Sequence, residues 1–311
     1  MRKSTVVAFI TAVLSPCVAQ ADAFEEGMST MWEVLWHQSG TATRLVRWEQ
    51  DIKVRVIGAN AAPHRLHTLK ALRDVAAEAG VKVEDVSDRP DAAQQANVSI
   101  EISADHALSA AQPCETRLDF RSETTLDGAA TQMRGSDAYR CAYHEAMHIM
   151  GVRGHPEGDT VLSYFAAHVD GLTPLDKAML RAWYAPAARA GMTPFELLPV
   201  LADQLVASMP SRQLATLARD RFLARTIGEM EAFVDGRGDV PVIVKRSGKS
   251  SELGVRFGRM EMSYFLGVAY QQGLAVRRDQ TKAVRWLQRA ADLGSRSAQA
   301  RLGAGKVAGN S

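Results

Sequence analysis

Cysteine is scarce in this sequence, at three residues in 311, and aromatic residues make up only 6% of it. No stretch reaches the ~18 consecutive apolar residues of a membrane-spanning helix, so no membrane span is expected. A glycine-rich phosphate loop and a dinucleotide-binding fingerprint are both absent. So is any basic surface interleaved with aromatics, which removes nucleic acid from the expected partners. Charge of one sign is not in excess either, since 37 basic residues face 35 acidic ones. What is present is a composition 46% hydrophobic and 23% charged, which excludes wholesale disorder. The length leaves room for two domains.

The first residues, MRKSTVVAFITAVLSPCVAQADA, read as a secretory signal peptide over 1–21. Arg2 and Lys3 form its positive end, Val6 to Leu14 its apolar run, and Ala19-Gln20-Ala21 its small-residue cleavage site. The expected location is therefore periplasmic or secreted. Lipid anchoring through Cys17 fits less well, because Pro16 stands where a small residue is needed. Taking Arg2 and Lys3 from the 37 basic residues leaves 35 against 35 acidic. The mature chain keeps Cys114 and Cys141, and an oxidising compartment favours a disulfide between them. Loop entropy makes such a bridge worth ~3–4 kcal/mol. Cys141 lies three residues before His144, so the bridge would brace the start of the helix discussed below.

Residues 22–211 hold 17 basic and 26 acidic residues, whereas 212–311 hold 18 and 9. That asymmetry marks a boundary near 211. Met28, Met31, Trp32, Leu35 and Trp36 share one face of a short helix. IKVRVIG (Ile52–Gly58) alternates as a strand does. APHRLHTLKALRDVAAEAG carries Leu66, Leu69, Leu72, Val75 and Ala76 at helical spacing, with Gly80 as its stop. VKVEDV and ANVSIEIS (Ala96–Ser103) are strand-like, a loop-rich stretch follows, and a helix starts near Ser136. LTPLDKAMLRAWY reads as a helix capped near Thr173 with Pro174 at its first position. This order implies an α+β fold followed by an all-α segment.

The chemistry is carried by HEAMHIMGVRGHP, residues 144–156. Residues four apart in a helix stand one turn above each other, so His144 and His148 can face one ion. Imidazole nitrogens suit Zn2+ at ~2.0–2.1 Å. Glu145, beside the first ligand, is placed to take a proton from an activated water as general base. Third-ligand candidates are His155, with Asp159 as its chief rival and His168 further off. His64, His67 and His106 read as surface or loop histidines.

This run resembles the metzincin clan of zinc proteases. Gly151 falls three after His148, where that clan turns sharply out of the helix. Its third ligand comes six residues after the second, whereas here Gly154 holds that place and His155 comes at seven. Glycines at 151 and 154 accept positive φ and allow a one-residue bulge. DTVLSYF occupies the stretch of the clan's methionine turn, with Leu162 in place of the methionine. Tyr164 stands where some members place a tyrosine beside the metal, which implies a transition-state role. LTPLDKAMLRAWY resembles the closing helix of secreted metalloproteases, with its usual Asp and terminal Tyr. RLVRWEQDIKVRVIG, ANVSIEIS and LTPLDKAMLRAWYAPAARAGM, within residues 44–192, also resemble an exported bacterial family known only as a domain of unknown function.

Near the C-terminus, Leu266, Gly267, Tyr270 and Gly273 mark one helix. Ala283, Trp286, Ala290, Ala291 and Gly294 mark a second, and Ala298, Leu302 and Gly303 restart the first pattern. The rhythm resembles a Sel1-type repeat, which implies a protein partner. The expected division is a signal at 1–21, a metzincin-like metallopeptidase domain at 22–192, a helical connector at 193–250, the repeat at 251–305 and a tail at 306–311. Two functions follow. The first is an exported zinc metallopeptidase acting on peptides or proteins, with the strand ANVSIEIS as the cleft edge to which a peptide would add. The second is a non-catalytic envelope protein that binds peptides or proteins and keeps a structural or vestigial zinc.

Overall fold

The computed structural model describes residues 7–35, 44–104, 108–163, 170–246 and 252–308. They fall into two units, Thr43–Thr193 and a second made of Met1–Ala42 with Pro194–Ser311.

Helix α1 (Val7–Leu35) runs without a break through the expected cleavage site at 19–21. Met28, Met31, Trp32 and Leu35 are buried as their common face requires, and Trp36 lies outside the described residues. The Phe24 and Phe222 rings meet edge to face at 5.9 Å between centroids, and those of Trp32 and Phe195 at 4.9 Å. Residues 22–35 therefore belong with the C-terminal helices. The expected 22–192 domain is corrected at its start, because its first apolar face is covered by side chains from beyond residue 193.

The sheet-bearing unit comprises β1 (Arg47–Trp48), β2 (Ile52–Ile57), α2 (Ala61–Glu78), β3 (Val83–Asp85), α3 (Ala92–Gln95), β4 (Val98–Ser103), β5 (Cys114–Phe120) and β6 (Thr125–Arg134). Strand order is β1-β6-β4-β2-β3, with β5 also on β6. Every pairing is parallel except antiparallel β5–β6. Helices between β2, β3 and β4 supply the crossovers that parallel neighbours need, so the arrangement is mixed α/β and not the segregated α+β expected. Burial alternates along β2 and β4, with Ile52, Val54, Val56, Val98, Ile100 and Ile102 buried. Each such side chain contributes ~1.5–3 kcal/mol. On α2, Leu69, Leu72, Val75 and Ala76 are buried as expected, but Leu66 is 84% exposed.

Two expectations are corrected here. The stretch after residue 103 is not mainly loop, since β5 and β6 form a hairpin within it. And β4, expected at the cleft edge, is interior, paired to β2 on one side and β6 on the other. Among the described residues β1, β3 and β5 each pair on one side only.

A short 3-10 turn at Gly135–Asp137 leads into α4 (Ala138–Ile149), and α5 (Pro174–Trp183) closes this unit. Thr173 and Asp176 form a capping box at the start of α5 with Pro174 in its first turn, as the sequence predicts.

The helical unit continues through α6 (Pro194–Ser208), α7 (Arg212–Val234), α8 (Val242–Arg246), α9 (Glu252–Gln272), α10 (Gln280–Asp292) and α11 (Arg296–Ala308). Within 193–250, expected as a helical connector, α6 and α7 are helices as read, and they are packed, with Phe195, Leu198, Leu201, Phe222, Ile227 and Met230 buried. At the α9–α10 crossing a Cβ on Gly267 would lie 2.6 Å from Leu287 Cγ, so only glycine lets these helices approach so closely. Among the described residues no helix is long and apolar enough to cross a membrane.

Candidate metal centre

His144 and His148 project from successive turns of α4, and the chain must then leave the helix and return a third side chain to them. It does so through a Schellman ending. Gly151 N–H donates to His148 O at 2.9 Å and Val152 N–H to Met147 O at 3.1 Å. Gly151 has φ +83°, and a Cβ there would also lie 2.7 Å from Val46 O, so glycine is required twice over. Two further carbonyls at this helix end are capped from elsewhere in the unit. Trp48 Nε1 donates to Ile149 O at 2.7 Å, and the Tyr184 hydroxyl donates to Met150 O at 2.9 Å. Gly154 then takes φ +104°, and His155 follows. Positive φ at Gly151 and Gly154 thus brings His155, seven residues after His148, back to the first two histidines.

The three imidazoles converge. Nε2 of His144 lies 3.1 Å from that of His148 and 3.1 Å from that of His155, and the His148–His155 separation is 3.2 Å. The first two rings are oriented by backbone carbonyls. His144 Nδ1 donates to Val161 O at 2.9 Å and His148 Nδ1 to Val152 O at 2.8 Å. A carbonyl only accepts, so in the neutral ring Nδ1 carries the hydrogen and Nε2 presents its lone pair. Lone pairs this close repel unless a cation sits among them. Burial, the largest influence on His144, lowers its pKa to about 4 and keeps that ring neutral. Three nitrogens around a tetrahedral Zn2+ at ~2.0–2.1 Å stand ~3.3 Å apart, close to the spacing here. The donor set fits that ion, and these three histidines are a group able to hold one.

Glu145 is 1% exposed. Its Oε2 accepts from Thr116 Oγ1 at 2.6 Å, and Thr116 Oγ1 lies 2.7 Å from Thr131 Oγ1. Burial raises the Glu145 pKa to about 7, with the Thr116 hydrogen bond opposing the rise and Glu115 adding to it. A carboxyl poised near neutrality is matched to general acid–base work.

Asp176 is fully buried and organises the floor of the site. It accepts from Thr160 Oγ1, from Val161 N–H at 3.2 Å and from Thr173 N–H at 2.9 Å. Val161 is thus fixed by Asp176 through its N–H and orients His144 through its carbonyl. Leu162 is 0% exposed. Cys114 and Cys141 are joined as a disulfide with Cα atoms 6.2 Å apart, tying the first residue of β5 to α4.

Among the expected site residues, His144, His148 and His155 come together, and Asp159 is exposed and outside their group. Tyr164, His168 and His106 lie outside the described residues. His67 stacks on Tyr139 at 3.8 Å between centroids and takes no part in the site. Sequence reasoning missed Thr116 and Thr131. Both belong to the unread hairpin, and nothing local distinguishes a threonine that meets a carboxylate from one that faces solvent.

No curated protein and no solved structure matches this chain. The family model described as Sel1 repeat matches residues 261–295, which take in the later part of α9, the turn after it and α10, so the chain carries a Sel1 repeat.

Proposed function

We propose that this chain is an exported zinc-dependent metallopeptidase with His144, His148 and His155 as zinc ligands and Glu145 as general base. The observation that carries the reading is the meeting of three imidazole nitrogens within 3.2 Å on and beside the helix that bears a buried glutamate. When bound, zinc would polarise the scissile carbonyl and make a water acidic enough to attack it at neutral pH. The chain's own part is proton handling and orientation. With Oε2 engaged by Thr116, the other carboxylate oxygen of Glu145 takes the proton from water and passes it to the departing amine. A peptide in extended form adds to β5, whose second edge has no partner strand among the described residues. The disulfide suits an oxidising compartment and so supports export. The Sel1 repeat would recruit a protein partner.

The first test is the zinc-to-protein ratio of chain 22–311 after dialysis without chelator, with one zinc per chain expected. Glu145→Gln should then lower peptide cleavage by ~100-fold or more while zinc stays bound. A ratio near zero in folded protein that takes up no added zinc would remove the metal reading. Bound zinc with no turnover by the wild-type chain would favour the second function, a non-catalytic envelope protein binding peptides or proteins, to which the Sel1 repeat lends support.

A further inference from the structure

We propose that Thr116 is a positioning residue for Glu145, and that the Cys114–Cys141 bridge sets the register in which it acts. The inference rests on the reading of Glu145 as the base. Alternate residues of a strand face the same way, so Cys114 and Thr116 share one face of β5. Residues four apart share one face of a helix, so Cys141 and Glu145 share one face of α4. The strand and the helix are thus joined by two rungs in step, one covalent from Cys114 to Cys141 and one hydrogen-bonded from Thr116 to Glu145. A slip of β5 by one residue would turn Thr116 away from the helix. The bridge forbids that slip.

The hydroxyls are ordered as well. Thr131 is the cross-strand partner of Thr116 and is 1% exposed. The Thr116 hydrogen goes to the carboxylate, which accepts only, so the 2.7 Å contact is Thr131 donating to Thr116. Thr131 fixes Thr116, Thr116 fixes Oε2, and among the described residues Oε1 has no hydrogen bond. One oxygen of the base is held while the other is left for water.

The metal ligands are oriented separately. Val161 O and Val152 O hold His144 and His148, and neither carbonyl lies on β5. The rungs therefore govern turnover without governing metal occupancy, which a general structural role would not do.

The experiment uses the full mature chain loaded with zinc, and in parallel with Co2+, whose visible spectrum reports the surroundings of the metal. Turnover is followed with a quenched fluorescent peptide chosen from a library for cleavage by the wild-type chain. Thr116→Val should lower kcat by ~10–100-fold, with KM and zinc stoichiometry unchanged. Thr116→Ser should restore kcat to within about threefold, since it returns the hydroxyl. The cobalt spectrum of Thr116→Val should shift in the same direction as that of Glu145→Gln. The double variant Cys114→Ala/Cys141→Ala should behave like Thr116→Val and retain zinc. Wild-type kcat and cobalt spectrum in Thr116→Val would overturn the proposal, as would zinc loss in step with activity. If Glu145→Gln keeps full turnover, the reading of Glu145 as base fails instead. If no library peptide is cleaved, the cobalt spectra decide, and a Thr116→Val spectrum identical to wild type overturns the positioning role.

Discussion

In the sheet-bearing unit, the buried polar groups around the three histidines answer one another: Asp176 with Thr160, Thr173 and Val161, and Glu145 with Thr116, which in turn meets Thr131. In the Sel1 repeat the interior is settled by shape, with Gly267 under Leu287 and with Leu266, Ala269, Ala283, Trp286 and Ala290 buried. The two regions teach different things about what a residue is for. Buried polar networks are costly unless every member is paired, and they are retained where orientation matters. A small-and-large packed helix pair fixes a scaffold and leaves its outer surface for partners.

Substitutions can break or sharpen that contrast. Trp286→Ala in α10 should cost most in stability, ~3–5 kcal/mol, with zinc stoichiometry unchanged; urea denaturation with parallel metal analysis would show it. Zinc loss on that change would erase the distinction between the units. Gly151→Ala should cost ~2–3 kcal/mol, because a Cβ meets Val46 O and the residue must stay at φ +83°. Here metal analysis should also show weakened zinc retention, since the turn delivers His155. Asp176→Asn should cost ~1.5–2 kcal/mol through weakened charged hydrogen bonds. It should also lower zinc affinity by ~10-fold, read by competition with a chromogenic chelator. Trp48→Phe should be mildest, ~1 kcal/mol for the bond to Ile149 O, with the metal unaffected.

Legibility in the sequence followed the strength of local patterns. IKVRVIG and ANVSIEIS alternate strongly, and their strands stand where expected, at Ile52–Ile57 and Val98–Ser103. Gly80 stops α2 with φ +69° as read, and Thr173 caps α5 as read. The β5–β6 hairpin was illegible for a physical reason. β5 is an edge strand whose residues are half-buried or exposed, and β6 buries small or polar residues such as Ala129 and Thr131 beside Gly128, so neither shows a strong apolar period. Assigning β4 to the edge followed from that omission, because an unseen strand cannot cover a seen one. The meeting of the histidines was legible because their spacing is set by helical pitch and glycine, both local. Asp176 was legible only as part of a helix start. Its hold on Val161 spans 15 residues and arises from the fold.

Val152 closes the α4 terminus with its N–H and turns the His148 ring with its carbonyl, so a single residue serves both the helix end and the histidine. From there only Arg153 and Gly154 separate a fixed backbone point from His155. Those two residues form a tether whose length sets how far the third imidazole reaches. If the three histidines hold a metal as proposed, changing those two residues alone would move the third imidazole while leaving the helix and its two histidines in place.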